Sequence, residues 1–126
     1  RWESAYIEDA DYVFVAYGLP GRVVKGLVRQ LRSQGEKVGF IRPISLWPFP
    51  EKAFAEVNPN VKGYITVENN DEGQMNEDVA IYGRKHNSGH ENVPVYTIAT
   101  GVGVPTRKEV NEKFDAIKSG EMKEVF

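Results

Sequence analysis

The stretch Tyr12-Val13-Phe14-Val15-Ala16-Tyr17-Gly18, followed at once by Leu19-Pro20-Gly21 and the cationic segment Arg22 to Arg32, decides the fold. Six apolar residues run without alternation before Gly18, which suggests a strand covered on both faces, as in a parallel sheet. Pro20 and Gly21 read as a turn. From Arg22 the period changes: Val23, Val24, Leu27, Val28 and Leu31 recur at the spacing of one helical face. Gly35 then stands where a helix needs a residue of positive φ just past its end. Strand, turn and amphipathic helix together make the first half of a crossover unit.

Working outward, the pattern repeats. Val38 to Ile41 is a second strand, stopped by Arg42-Pro43. A short helix is expected from about Glu51 to Val57, ended by Asn58-Pro59. Val61 to Val67 is a third strand, and a helix carrying Met75, Val79 and Tyr82 follows Gln74. Val93 to Ala99 is a fourth strand. After the Gly-rich turn 100–105, Thr106 and Glu109 form a capping box, and Val110, Phe114 and Ile117 stripe a last helix closed by Gly120. Strands alternating with helices predict an α/β fold with a mostly parallel sheet of four to five strands. One domain over 11–120 is expected, with 1–10 as linker or edge strand and 121–126 as a tail.

Composition narrows the function. The 126 residues suit one domain with a real core. They include no cysteine, which removes disulfides, iron–sulfur ligation and thiol nucleophiles from this chain. Lys and Arg number 16 against 18 Asp and Glu, so general nucleic-acid binding is not expected. No apolar run approaches the ~20 residues of a membrane helix, and no secretory pattern opens the chain, so a cytoplasmic location is expected. A start at Arg1 suggests a piece cut at a domain boundary.

In open α/β sheets, ligands and partners meet the carboxyl ends of the strands. Four loops are therefore expected on one rim: 18–22, 42–49, 68–74 and 100–106. Gly18, Gly21 and Arg22 could offer free helix amides to an anion, or simply make a tight turn. Arg42 and Glu68 could pair, either to organise a ligand or to fix two loops. Trp47 and Phe49, bracketed by prolines, suit a rigid anchor for a partner or a cap on the core. Arg22, Lys25, Arg29 and Arg32 share one face of the first helix, as a solvated surface or a dock for an acidic one. His86 and His90 have metal-ligand spacing only if helical, among residues that disfavour helix. Neither a complete P-loop nor a dinucleotide fingerprint is present, and no nucleophile elbow. These residues alone lead to an α/β domain with a functional or interface rim.

The run from Ala10 to Gly18 resembles the start of domain II in the alpha subunit of 2-oxoacid:ferredoxin oxidoreductases. So does the stretch from Gly35 to Pro50, with its I-R-P followed by L-W-P-F-P. Val67-Glu68, Gly73-Gln74-Met75 and Asp78-Val79 follow at the expected distance. The resemblance implies a three-layer α/β/α sandwich like the C-terminal domain of transketolase. It implies a part in a thiamine-diphosphate enzyme that oxidatively decarboxylates a 2-oxoacid to an acyl-CoA and reduces ferredoxin. Thiamine diphosphate and the iron–sulfur clusters are then expected elsewhere in the complex, with none bound by this domain alone and no catalytic or metal residue within it. CoA and ferredoxin would act at the level of the complex, and the isolated domain would be inactive. The other domains of the subunit, and the other subunits, are its expected partners. The rim residues carried over as interface candidates are Gly18, Gly21, Arg22, Arg42, Trp47, Phe49, Glu68, Asn70, Gln74, Gly101 and Gly103. Two departures fall on that rim. One extra residue precedes Gly73, and the second glycine of the last turn is displaced to Gly103. They leave pyruvate, branched-chain 2-oxoacids and 2-oxoglutarate all open. A transketolase or E1-beta-type relative, or a free-standing module binding a small anion at Gly18–Arg22, is the alternative.

Overall fold

The computed structural model describes residues 2–44, 51–68, 79, 93–99 and 105–124. The strands are β1 (Trp2–Ala5), β2 (Tyr12–Val15), β3 (Val38–Pro43), β4 (Gly63–Glu68) and β5 (Val95–Ala99). The helices are α1 (Gly18–Ser33), a 3-10 helix (Glu51–Glu56) and α2 (Arg107–Lys118). The strands make one five-stranded sheet in the order β1-β3-β2-β4-β5. Four run parallel, and β1 alone is antiparallel, pairing Glu3 with Arg42 and Ser4 with Ile41 on β3. The N-terminal segment is thus an edge strand. Its four residues carry no periodicity of their own, and pairing with β3 is what orders them.

The unbroken apolar run of β2 now has its cause. Val13 and Val15 face one core with Ile7, Phe54, Val57, Tyr64, Val79 and Val95. Phe14 and Ala16 face the other, under Val24, Leu27 and Leu31 of α1 and Val110, Phe114 and Ile117 of α2. A strand in the middle of a sheet with helices on both sides has no wet face, so it needs apolar residues at successive positions. The two α-helices cover one side, while the 3-10 helix and the helical residue Val79 cover the other. This is a layered α/β sandwich.

Local signals hold at the helix ends. Gly35, at φ +87°, follows α1; its N–H donates to the Arg32 carbonyl and that of Glu36 to the Leu31 carbonyl. That is a Schellman closure, and Gly120 repeats it after α2. Thr106 and Glu109 exchange the two bonds of the capping box at 3.0 and 3.1 Å. The start of α1 differs from expectation. The helix begins at Gly18 rather than Arg22, and the Gly21 N–H already donates to the Tyr17 carbonyl at 3.2 Å. Pro20 falls in the first turn, where its missing N–H leaves no helical bond unmade.

Candidate functional site

Strand order sets the rim. The parallel strands end at Val15, Pro43, Glu68 and Ala99, so these four ends lie side by side. The described part of the rim centres on Arg42. Its Nη1 lies 3.4 Å from Glu3 Oε1 and its Nη2 donates to the Gly18 carbonyl at 3.4 Å. Its aliphatic stem lies across Gly21, where an added Cβ would sit 2.9 Å from both Arg42 Cγ and the Ala16 carbonyl. Gly21 is therefore glycine because backbone and guanidinium stem approach it closely. Lys25 of α1 holds the second oxygen of Glu3. First Lys25 and then Arg42 keep the Glu3 carboxyl below its ordinary range.

The structure thus brings Gly18, Gly21 and Arg42 together. It also corrects one expectation and recasts another. The turn 18–22 is itself the first turn of α1, where the Gly18 and Leu19 N–H groups have no acceptor within the helix, Pro20 has no N–H and that of Gly21 donates to the Tyr17 carbonyl. Arg42 does not pair with Glu68, because β2 lies between their strands. Glu68 is instead buried, 2% exposed, on β4 opposite Ala99. Arg22 points outward on α1. Trp47, Phe49, Asn70, Gln74, Gly101 and Gly103, and the histidines 86 and 90, lie outside the described residues. Sequence reading missed Glu3, the residue that joins α1 to β3. Its only signal is an acid within a weak N-terminal pattern.

A second concavity lies at the opposite, amino ends of the strands. Its volume is about 450 Å³, and Asp11, Glu36, Lys37, Lys62 and Lys118 line it beside the rings of Tyr12 and Phe114. Its charges largely compensate one another. Lys118 Nζ lies 2.9 Å from Glu36 and 3.5 Å from Asp115, and Lys62 lies 3.8 Å from Asp11. Lys118 also sits 4.6 Å above the Phe114 ring, at the end of α2 where the helix dipole favours a cation. Although burial lowers it, Glu36 and Asp115 together raise the Lys118 pKa. The amino end is a self-neutralised structural corner.

Among the described residues, no three His, Cys, Asp or Glu side chains stand close enough to share a metal ion. No described helix is long and apolar enough to cross a membrane. What the rim offers is a rigid surface that joins a strand end, a helix start and an edge strand through Arg42 and Glu3.

Residues 10–110 match the family model described as pyruvate:ferredoxin oxidoreductase core domain II. The ketoisovalerate oxidoreductase subunit VorB of Methanothermobacter marburgensis is 44% identical over 79 residues, covering 63% of this chain and 22% of the relative. The chain thus spans about a fifth of the length of that relative. A solved 2-oxoglutarate:ferredoxin oxidoreductase from Magnetococcus marinus, with 2-oxoglutarate, coenzyme A and succinyl-CoA bound, superposes with a TM-score of 0.70. That match has 21% identity and covers 91% of this chain and 19% of the other. A split-gene transketolase, in an inactive beta4 tetramer, superposes at 0.61 with 15% identity, over 96% of this chain and 42% of its own. Both likenesses show the fold, which is that of the transketolase C-terminal domain.

Proposed function

Since the chain belongs to the pyruvate:ferredoxin oxidoreductase core domain II family, we propose that it works as one domain of a 2-oxoacid:ferredoxin oxidoreductase. The observation that carries this reading is the family match over residues 10–110, which spans every described element except β1 and the last turns of α2. In this reading the enzyme oxidatively decarboxylates a 2-oxoacid to an acyl-CoA and passes the electrons to ferredoxin. The domain contributes a rim that shapes and joins neighbouring domains, with Gly18, Gly21, Arg42 and Glu68 among the residues that set its form.

Thiamine diphosphate supplies the carbanion chemistry of such an enzyme. In this reading the cofactor is held by other domains and subunits of the enzyme, and this domain binds none alone. The absence of cysteine likewise assigns iron–sulfur clusters to other chains or domains. In this reading the domain serves assembly and active-site shaping. The substrate class is a 2-oxoacid: the ketoisovalerate relative supports a branched-chain type, the family description supports pyruvate, and 2-oxoglutarate is the third alternative. The site of action is the interior of the cell, where ferredoxin and CoA serve as co-substrates.

The test is reconstitution. The full subunit containing this chain is combined with its partner subunits, and 2-oxoacid-dependent reduction of ferredoxin is followed in the presence of CoA. Turnover is expected from the complex and none from the 126-residue chain. Calorimetry that detects micromolar binding of thiamine diphosphate to the chain alone would overturn the division of labour.

A further inference from the structure

Helix α1 carries Arg22, Lys25, Arg29 and Arg32 and no acidic residue. The fold divides this stripe in two. Lys25 is held by Glu3, and Arg32 by Asp9 at 2.6 Å and by the Tyr6 and Val38 carbonyls at 2.8 Å. Those two cations fasten the N-terminal segment to the sheet. Arg22 and Arg29 are exposed, and among the described residues neither has an ion-pair or hydrogen-bond partner.

They stand seven residues apart, two turns along one face, with Gly26 between them. Because Gly26 has no side chain, Arg107 of α2 lays its guanidinium over that position. Its Nη1 donates to Gln30 Oε1 at 3.3 Å. Three guanidiniums from two elements therefore follow one another along the outer surface of α1. No described carboxylate offsets these three cations. Arg107 also occupies the first position of α2, the positive end of its dipole. A chain of net charge −2 gives no compositional reason for such a concentration.

The chemistry of the three side chains defines what would relieve it. Guanidinium is planar, weakly hydrated and matched to carboxylate in a two-bond fork. The surface is a helix face, and none of the three arginines lines the 450 Å³ concavity. It therefore lacks the enclosure a small anion needs, and it suits an extended surface carrying several carboxylates. We propose that the Arg22–Arg107–Arg29 face docks onto an acidic surface of another subunit of the same oxidoreductase. This inference rests on the reading of the chain as one domain of a multi-subunit enzyme.

The test uses the assembled enzyme. Association of the subunit carrying this chain with its partner subunits is titrated at rising NaCl, for wild type and for R22E/R29E/R107E. The triple reversal is expected to weaken association by roughly tenfold or more and to flatten its salt dependence. R22Q/R29Q removes two charges that touch no described side chain. It is expected to keep the wild-type melting temperature and to weaken association by about threefold, so it carries the test if the triple variant does not fold. Association and salt dependence unchanged in R22Q/R29Q would overturn the proposal. So would a lower melting temperature of the separate subunit with unchanged association, which would place the acidic surface within the same polypeptide. If the wild-type subunit joins no oxidoreductase partner at all, the functional reading itself falls, and this proposal with it.

Discussion

The two ends of the parallel sheet are built on opposite principles. At the amino ends, Lys118, Lys62, Glu36, Asp11 and Asp115 neutralise one another around the aromatic pair Tyr12 and Phe114. At the carboxyl ends, Arg42 and Glu3 tie three elements together, and along the helix layer that runs from there toward the amino ends, Arg22 and Arg29 keep their charge outward. An end that satisfies itself contributes stability and offers little to a partner. A helix face that keeps charge outward is equipped for contact.

The comparison can be broken most severely through the amino end. Phe114 is fully buried and meets both Phe14 and Tyr12 edge-on, with centroids 5.2 and 5.5 Å apart. Phe114→Ala is expected to cost about 3–5 kcal/mol, read as a lower urea midpoint, with association of any surviving folded protein unchanged. A loss of association without a loss of stability would reverse the roles of the two ends.

A smaller effect is expected at the carboxyl end. Gly21→Ala places a methyl 2.9 Å from the Ala16 carbonyl and the Arg42 stem. Backbone cannot yield there as a side-chain tip would, so a loss of about 1–3 kcal/mol is expected in chemical denaturation. Arg42 must also shift, and assembly should weaken by more than the stability loss alone explains. Equal losses would reduce Gly21 to a packing residue.

The smallest effect separates the ends by pH. Lys25 and Arg42 depress the Glu3 pKa, so the stability it lends is complete above the ordinary carboxylate value of 4.5 and disappears as pH falls through its folded value. Lys118 has a raised pKa, so its contribution is complete below 10.5 and disappears as pH climbs through its folded value. Glu3→Gln should shrink the acid arm of the stability profile, by roughly 1 kcal/mol or less, while Asp9 and Glu109, whose carboxyls Arg32 and Thr106 also hold low, keep the rest of it, and the alkaline arm should stay. Lys118→Met should do the reverse. Urea midpoints measured from pH 3 to 11 decide it, and an acid arm of undiminished size in Glu3→Gln would assign all of it to the other carboxylates.

What the sequence made legible was whatever depends on neighbours along the chain. The stripe Val24, Leu27, Val28 and Leu31, the closure at Gly35 and the capping box at Thr106 and Glu109 each need only a turn or two of helix. The unbroken apolar run of β2 revealed two buried faces for the same reason. Features that depend on strand order stayed hidden. Arg42 and Glu68 both end strands, yet one sequence does not say that β2 separates them. For the N-terminal segment the sequence left a linker and an edge strand both open, because Trp2–Ala5 has neither period nor composition to choose between them. Gly18-Leu19-Pro20-Gly21 read as a turn because glycine and proline signal turns, whereas a first helical turn tolerates both. Arg107 was overlooked beside Arg22 and Arg29 because it arrives from a distant segment. The small residue Gly26 between them was the available clue.

The short antiparallel strand carries a consequence for handling the protein. The family match starts at residue 10, so a fragment trimmed to that boundary would lack β1, Glu3 and Asp9. Lys25, Arg32 and Arg42 would lose their carboxylates together, and the outer backbone of β3 would face water as an open row of donors and acceptors beside Phe40 and Ile41. Such an edge recruits any strand of suitable length, including that of another copy. Pairing with Trp2–Ala5 is what keeps that row of β3 covered.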